Sequence, residues 1–186
     1  MTTDLERFLA ECTLLGQEEV DWNNGALPLY LTAYLSSALP PDEYVTSVRC
    51  LIFKDDQVLV QRDRHNLHLL PGGRRECGET FEQTLDREVA EETGWTIADA
   101  KVLGVLHFHH LGPKPAGYLY PYPDFLQVVY QAEADREQPE RRLDDGHELD
   151  STFLSIAEAQ RLIPPPWGQV FLATALRNRL PPSGAR

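Results

Sequence analysis

The chain has 186 residues and a formal net charge of −12 at pH 7, with 29 acidic residues against 17 Lys and Arg. This length suffices for one domain with a proper hydrophobic core and is short for two. The acidic balance argues against broad nucleic-acid binding through a basic face. No run of about 18 apolar residues occurs, so no membrane span is expected. The acidic, amphipathic N-terminus fits neither a secretory signal nor a transit peptide, which makes the cytoplasm the default location.

The first 43 residues are predicted to form a helical extension on the main domain. Apolar residues recur at helical spacing over residues 2–15. A second helix is predicted over Leu29–Leu39, before two prolines break it. This extension either packs on the main domain or forms a homodimer contact, and the sequence leaves both open.

The main domain is predicted over residues 44–180, and it opens with a β-hairpin. Tyr44–Phe53 is rich in strand-forming residues, a polar turn follows, and Val58–Gln61 is apolar again. Arg62 and Arg64 come directly after the second strand. They are either exposed residues that favour solubility or phosphate ligands, because guanidinium groups pair with phosphate oxygens in a forked geometry.

A loop and one short helix follow in the stretch GRRECGETFEQTLDREVAEETGW, residues 73–95. Thr80 and Gln83 have the spacing of a capping box, in which each side chain satisfies a backbone N–H of the first helical turn. Gly94 is the matching C-terminal signal, because glycine adopts the left-handed conformation that ends many helices. The helix is therefore predicted from Phe81 to Thr93.

Three glutamates of this helix, Glu88, Glu91 and Glu92, share one face because they lie three and four residues apart. Like charges at such spacings destabilise an isolated helix by roughly 0.2–0.5 kcal/mol per pair, and Arg87 offsets part of this by reaching Glu91. The face is either simply solvated or a divalent-cation site. Clustered carboxylate oxygens are the ligands that Mg²⁺ and Mn²⁺ prefer.

The same stretch satisfies the pattern G-x5-E-x7-R-E-U-x-E-E-x-G-U, in which U is a bulky apolar residue. The nine specified positions are Gly73, Glu79, Arg87, Glu88, Val89, Glu91, Glu92, Gly94 and Trp95. This is the signature of the Nudix hydrolases, and the sequence resembles that family. An aliphatic residue is more usual at the position of Trp95. The segment HLLPGG, residues 68–73, resembles the usual lead-in to the motif.

The resemblance implies an α/β fold, an α/β/α sandwich with a mixed sheet. It also implies hydrolysis of a nucleoside diphosphate linked to another moiety, with Mg²⁺ or Mn²⁺ as cofactor and a small nucleotide-type molecule as substrate. Glu88 and Glu92 would be the main metal ligands, Glu91 a ligand or the general base, and Arg87 the residue that holds a motif glutamate in place. Arg62 stands where an arginine of the family often binds phosphate.

Other implied site residues lie outside the motif helix. The carbonyl of Gly72 is a further metal ligand by this resemblance, and Glu79 braces the loop or binds a second metal. Many family members add a carboxylate shortly before the last strand. Glu148 takes that position as metal ligand or base, with Asp144 and Asp145 as alternatives.

After the motif, Lys101–His110 is predicted as a strand with His107 and His109 on one face and Phe108 on the other. One of the three histidines His107, His109 and His110 is a candidate substrate contact, and a metal site is the alternative. A Pro-, Gly- and Tyr-rich loop follows, and its tyrosines, Tyr118 among them, are candidates to stack on a base. The remaining predicted elements are strands Phe125–Ala134 and Thr152–Leu154, helices Ile156–Leu162 and Gln169–Leu180, and a frayed tail over residues 181–186.

The substrate itself stays open, since no subfamily mark outside the motif is matched. Two alternatives to a small-molecule hydrolase remain. One is a ligand-binding module without catalysis, which usually lacks motif glutamates that are all present here. The other is an RNA pyrophosphohydrolase, which the acidic composition disfavours.

Overall fold

The computed structural model describes residues 3–22, 25–64, 66–143, 148–163 and 166–179. Within these ranges the chain forms four α-helices and eight strands. The helices are α1 (Asp4–Glu11), α2 (Phe81–Thr93), α3 (Ile156–Leu162) and α4 (Trp167–Arg179). The strands are β1 (Thr13–Trp22), β2 (Leu27–Leu35), β3 (Val45–Lys54), β4 (Gln57–Asp63), β5 (Leu67–His68), β6 (Trp95–His110), β7 (Asp124–Glu137) and β8 (Glu148–Ser155).

The strands form one sheet in the order β1-β2-β6-β7-β3-β4-β5, with β8 paired to β4. The pairs β1–β2, β2–β6, β3–β4, β4–β5 and β4–β8 are antiparallel. The predicted α/β class with a mixed sheet is confirmed. No helix in the described ranges combines the length and the apolar character that crossing a membrane requires.

The N-terminal segment corrects the sequence-based prediction. The helix predicted over Leu29–Leu39 is wrong, because Leu27–Leu35 is strand β2, and α1 gives way to β1 at Thr13. Every second residue of β2, from Leu29 through Ala33, is buried, and the strand pairs with β6 over residues 29–35. Sheet pairing on both edges of β2 thus outweighs the helical preference of its leucines. The extension is one short helix and a β-hairpin, and its boundary with the main domain at residues 43 and 44 stays a prediction.

The predicted elements of the main domain agree with the structure in type. Helices α2 and α3 have the predicted bounds, and β3 and β4 form the predicted hairpin, with Phe53 opposite Val58. Strand β6 begins at Trp95 rather than at Lys101. Strand β8 is longer than the predicted Thr152–Leu154, because it pairs along the whole of β4. The predicted tail, residues 181–186, lies outside the described residues.

Local chemistry defines both ends of α2. The backbone N–H of Gln83 donates to Thr80 Oγ1 at 3.2 Å, and that of Thr80 donates to Gln83 Oε1 at 2.9 Å, so the predicted capping box is confirmed. At the other end Gly94 has φ +73°, and its N–H donates to the carbonyl of Ala90 at 2.9 Å. The motif glutamates consequently sit on a helix with defined ends.

The chain divides into two compact units. The first unit comprises Met1–Arg49, Gly73–Leu85 and Lys101–Tyr130, and the second unit comprises Cys50–Gly72, Asp86–Ala100 and Gln131–Arg186. The core of the first unit includes Leu29, Ala33, Val48, Val105, Phe108 and Val128, and that of the second includes Leu51, Val58, Leu69, Val89, Phe171 and Leu172.

Candidate active site

The motif arginine bridges two motif glutamates in the second unit. Arg87 Nη1 lies 2.9 Å from Glu88 Oε1 and 3.2 Å from Glu91 Oε2. The side chains of Glu88 and Glu91 are 15% and 32% exposed, so both carboxylates are partly shielded from water and still open to a ligand. One guanidinium thus holds the two carboxylates in a fixed relation.

The third glutamate is held by the lead-in loop of the motif. The backbone N–H of Gly72 donates to Glu92 Oε2 at 2.7 Å. Gly72 has φ +132°, a conformation that glycine adopts without strain. The preceding carbonyl, that of Pro71, accepts from the N–H of Cys50 in β3 at 2.9 Å. The sheet therefore positions the loop, and the loop positions Glu92.

The donor set of this helix face fits a hard divalent cation. Glu88, Glu91 and Glu92 offer carboxylate oxygens on neighbouring turns, and oxygen ligands are what Mg²⁺ and Mn²⁺ prefer. Among the described residues, no group of three or more acidic, His or Cys side chains is arranged as a metal site. In this arrangement Arg87 and the Gly72 N–H engage the carboxylates instead.

The remaining motif glutamate, Glu79, is part of the loop in the first unit. Its Oε2 accepts from the N–H of Glu76 at 2.9 Å and from the hydroxyl of Thr84 at 2.8 Å. Its backbone carbonyl accepts from Arg75 Nε at 2.8 Å, and Arg75 also contacts Asp42 at 2.7 Å. The Glu79 carboxylate thus ties the loop to the first turns of α2.

The arginines after the hairpin lie at the end of β4 in the second unit. Arg62 is exposed and stands opposite Asp150 of β8, and its guanidinium makes no hydrogen bond or ion pair within the described ranges. Arg64 is exposed as well. Glu148 begins β8 opposite Asp63, and its side chain lies outside what the structure describes. The alternative carboxylates, those of Asp144 and Asp145, also lie outside the described residues.

Two histidines of β6 share one carboxylate in the first unit. His107 Nε2 and His109 Nδ1 each lie 2.8 Å from the same oxygen, Oδ1 of Asp124. Burial by itself raises the pKa of Asp124, but the hydrogen bonds and positive charges of the two imidazoles together lower it. The predicted alternation along β6 holds, since Phe108 packs on the opposite side against Trp22 and Phe125.

A cavity of about 160 Å³ opens in the first unit, and Tyr118 lines it. His110 also lines it, with Nε2 3.1 Å from the Tyr118 hydroxyl. Burial and the charge of His109 lower the pKa of His110, while Asp124 opposes this shift. Of the predicted substrate contacts in this unit, Tyr118 lines the cavity, whereas His107 and His109 contact Asp124.

Several residues that the structure makes prominent were not predicted as functional from the sequence. Gln61 of β4 is fully buried, and neither atom of its amide has a hydrogen-bond partner within the described ranges. It stands opposite Ser151, whose buried hydroxyl also lacks one. A polar residue at the end of the apolar run VLVQ was the available signal. Trp22 and Gln127 line the cavity, and no local pattern marks them.

Residues 43–174 match the NUDIX domain. The chain therefore belongs to the NUDIX family, as its motif indicated.

Curated relatives resemble parts of the chain. A putative ADP-ribose pyrophosphatase, YjhB of Bacillus subtilis, is 34% identical over 39% of this chain and 36% of its own length. The ADP-ribose pyrophosphatase of Methanocaldococcus jannaschii is 41% identical over 42% of this chain and 48% of its own. The NAD-capped RNA hydrolase NudC of Escherichia coli is 33% identical over 45% of this chain and 29% of its own length. In each case the match spans less than half of the relative.

Two solved structures share the fold. A NUDIX hydrolase from Nitrosomonas europaea aligns with a TM-score of 0.56 and 23% identity, over 74% of this chain and 91% of its own. A pyrophosphohydrolase from Bacillus subtilis aligns with a TM-score of 0.57 and 14% identity, over 87% of this chain and 98% of its own.

Proposed function

We propose that the protein hydrolyses a pyrophosphate bond in a nucleoside diphosphate linked to another moiety, by attack of water on phosphorus. The observation that carries this proposal is the arrangement on α2, where Arg87 bridges Glu88 and Glu91 and the Gly72 N–H holds Glu92. Two relatives with ADP-ribose pyrophosphatase names support the substrate class, because ADP-ribose is a compound of this kind.

Glu88 and Glu92 are the proposed main ligands of Mg²⁺ or Mn²⁺, joined by the carbonyl of Gly72 and by Glu91. When bound, the cation supplies positive charge to the pyrophosphate oxygens and activates the attacking water. The chain needs this charge, because a protein of net charge −12 repels a polyphosphate. Glu79 is proposed to brace the loop through its contacts with Glu76 and Thr84, or to hold a second metal.

The general base is proposed to be Glu91 or Glu148. Glu91 combines partial exposure with a fixed position, because Arg87 contacts its Oε2 and the Leu143 N–H donates to its backbone carbonyl at 2.8 Å. A base must accept a proton while keeping its orientation to the attacking water. Arg87 serves that orientation by contacting the carboxylates of both Glu88 and Glu91.

The exposed arginines Arg62 and Arg64 are the proposed phosphate contacts. The guanidinium of Arg62 has no hydrogen bond or ion pair in the described ranges, so it is available to an anion. Tyr118 is proposed to contact the base, and His107 to contact the substrate with the part of its imidazole other than Nε2, which lies against Asp124.

The test measures cleavage of the pyrophosphate bond, with chromatographic separation of the phosphorylated products, in Mg²⁺ or Mn²⁺ with nucleoside triphosphates, dinucleoside polyphosphates, nucleotide sugars, ADP-ribose, NADH and coenzyme A. Glu92→Gln is the diagnostic variant. Glu82→Gln is its matched control, since Glu82 is an exposed residue of the same helix outside the motif. We expect metal-dependent turnover of one class in the wild type and in Glu82→Gln, and a loss of at least about a hundredfold in Glu92→Gln.

Retained turnover in Glu92→Gln would refute the metal role of that glutamate. If the folded wild type hydrolyses no substrate of the panel, the result would favour the ligand-binding alternative. Turnover confined to a capped or triphosphorylated RNA would replace the small-molecule substrate by the RNA alternative.

A further inference from the structure

Strand β1 is one edge of the sheet. It stands first in the strand order and pairs with β2 alone within the described residues. None of its 10 residues is buried, and it contains neither lysine nor proline. A bulge interrupts its pairing near the start, and residues 17–22 then pair with β2 in unbroken register. Short length, lysine and proline are common devices that keep an edge from accepting another strand, and β1 uses none of them.

The direction of the β1 backbone follows from a proline on the neighbouring strand. Asp21 stands opposite Pro28 of β2, and the Pro28 carbonyl accepts from the N–H of Leu111, just beyond the end of β6, at 3.0 Å. The Pro28 backbone therefore faces away from β1, so the N–H and C=O of Asp21 point to the outer edge of the sheet. Because strand residues alternate, those of Glu19 and Gln17 do the same. In the described ranges these outward groups have no backbone partner.

The edge has two different faces. The side chains of the same three residues lie on one face, and all are exposed, so this face carries the carboxylates of Glu19 and Asp21. The opposite face carries Val20 and Trp22, and Trp22 is 39% exposed. No lysine or arginine occurs in residues 8–48, so the hairpin itself brings no positive charge to these carboxylates. A strand that fits this edge has basic residues on one face and apolar residues on the other.

A second copy of β1 does not meet this requirement. Any antiparallel register that joins at least two of the outward residues places Glu18 opposite its own copy, Glu19 opposite its own copy, or Glu19 opposite Asp21. Like charges directly opposite each other destabilise a sheet. The net charge of −12 adds a general repulsion between copies. The charge of this edge therefore favours a basic strand over a second copy of the chain.

We propose that the outer edge of β1 binds an extended basic segment of a partner protein, which adds to the sheet as an antiparallel strand. The outward N–H and C=O groups of β1 supply main-chain hydrogen bonds, as in other cases of strand addition. Lysine or arginine side chains of the segment pair with Glu19 and Asp21, and its apolar side chains cover Val20 and Trp22. The hairpin precedes residue 43, where the match to the NUDIX domain begins, and this interaction does not depend on the hydrolase function.

The probe is a synthetic peptide of about eight residues in which lysine and valine alternate. One analogue is N-methylated on its lysines and another on its valines, so the two have equal charge and composition but lose N–H groups along opposite edges. A third analogue has glutamate in place of lysine. Binding to the full chain is measured by calorimetry, and the exchange of individual backbone amides is followed by NMR.

In the free protein the amides of Gln17, Glu19 and Asp21 should exchange freely, whereas those of Glu18 and Val20, which face β2, should be protected. The lysine–valine peptide should slow exchange of the outward amides by about tenfold or more. In an antiparallel pair the lysines opposite these residues turn their N–H groups towards β1. N-methylation of the lysines should therefore abolish the protection, and N-methylation of the valines should preserve it. The glutamate analogue should not bind.

The double variant Glu19→Gln/Asp21→Asn removes both carboxylates and leaves the outward backbone groups in place. It should bind the lysine–valine peptide about 2- to 25-fold more weakly, at roughly 1.4- to 5-fold for each cross-strand ion pair. The matched control is Glu76→Gln/Glu82→Gln, which changes the net charge equally by removing two exposed carboxylates outside the hairpin. This control should bind as the wild type does.

Absence of binding by the lysine–valine peptide would overturn the proposal. Equal binding of the two N-methylated peptides, or binding that protects none of the outward amides, would overturn it as well, because the peptide would then be held by charge alone. Equal weakening in the two double variants would lead to the same conclusion. Protection that grows with protein concentration in the absence of peptide would replace the partner strand by a second copy of the chain.

Discussion

Replacing Arg87 by Gln tests whether this arginine and a divalent cation act on the same carboxylates. The substitution removes contacts of 2.9 Å and 3.2 Å to Glu88 and Glu91, whose side chains are 15% and 32% exposed. Ion pairs of this partly exposed kind contribute about 0.2–1 kcal/mol each. The two glutamates, three residues apart, then repel each other by about 0.2–0.5 kcal/mol. The expected loss is about 0.6–2.5 kcal/mol of unfolding free energy, or roughly 1–10 °C in Tm for a chain of this size.

The assay is thermal unfolding of wild type and Arg87→Gln, in EDTA and in excess Mg²⁺. In EDTA the full difference in Tm should appear. In Mg²⁺ the difference should narrow, because the cation supplies the positive charge that the glutamates have lost. Arg7→Gln is the control, since Arg7 pairs with Asp4 across side chains that are both more than 60% exposed, and its removal should cost little.

Two outcomes would refute this reasoning. If Arg87→Gln is no less stable than Arg7→Gln in EDTA, the two ion pairs do not hold the motif carboxylates. If the difference in Tm is the same with and without Mg²⁺, the arginine and the cation do not act on the same groups.

Three further predictions concern stability. Gly94→Ala should lower the unfolding free energy more than Gly78→Ala does. Both glycines have positive φ, where an alanine is strained by about 1–2 kcal/mol. Only the new methyl group at position 94 would also meet a backbone atom of Pro139, at 3.3 Å. Equal losses in chemical denaturation would exclude that steric contribution. Gln61→Met should leave the unfolding free energy unchanged or raise it, because a buried amide without a hydrogen-bond partner costs about 1–3 kcal/mol. Gln57→Met is the control and should be near neutral. A clear loss of unfolding free energy in Gln61→Met alone would show that the amide is hydrogen-bonded in solution. His110 has a lowered pKa, so the unfolded chain binds its proton first, and stability should fall as pH drops below 6.5. His110→Gln should flatten unfolding curves measured from pH 7.5 to 5, and an equally steep dependence would contradict the assignment.

Tertiary pairing decided what the N-terminal segment becomes. Leu27–Leu35 is compatible with a helix by composition, and its alternation of buried residues has meaning only once β1 and β6 flank it. Period-two and helical patterns are hard to distinguish in a short apolar run, because the choice depends on partners that lie far away in the chain. Strand β8 was underestimated for the same reason, since β4 determines its length.

The motif helix shows the opposite case. Its start, its end and the shared face of Glu88, Glu91 and Glu92 follow from hydrogen bonds and spacings within a few residues, so the sequence by itself determined them. The family could be inferred from the same short stretch. The cavity could not, because Trp22, Arg49, Arg74 and Gln127 come from four separate segments that only the folded sheet brings together. Short-range interactions are encoded locally, whereas a binding surface depends on long-range strand pairing.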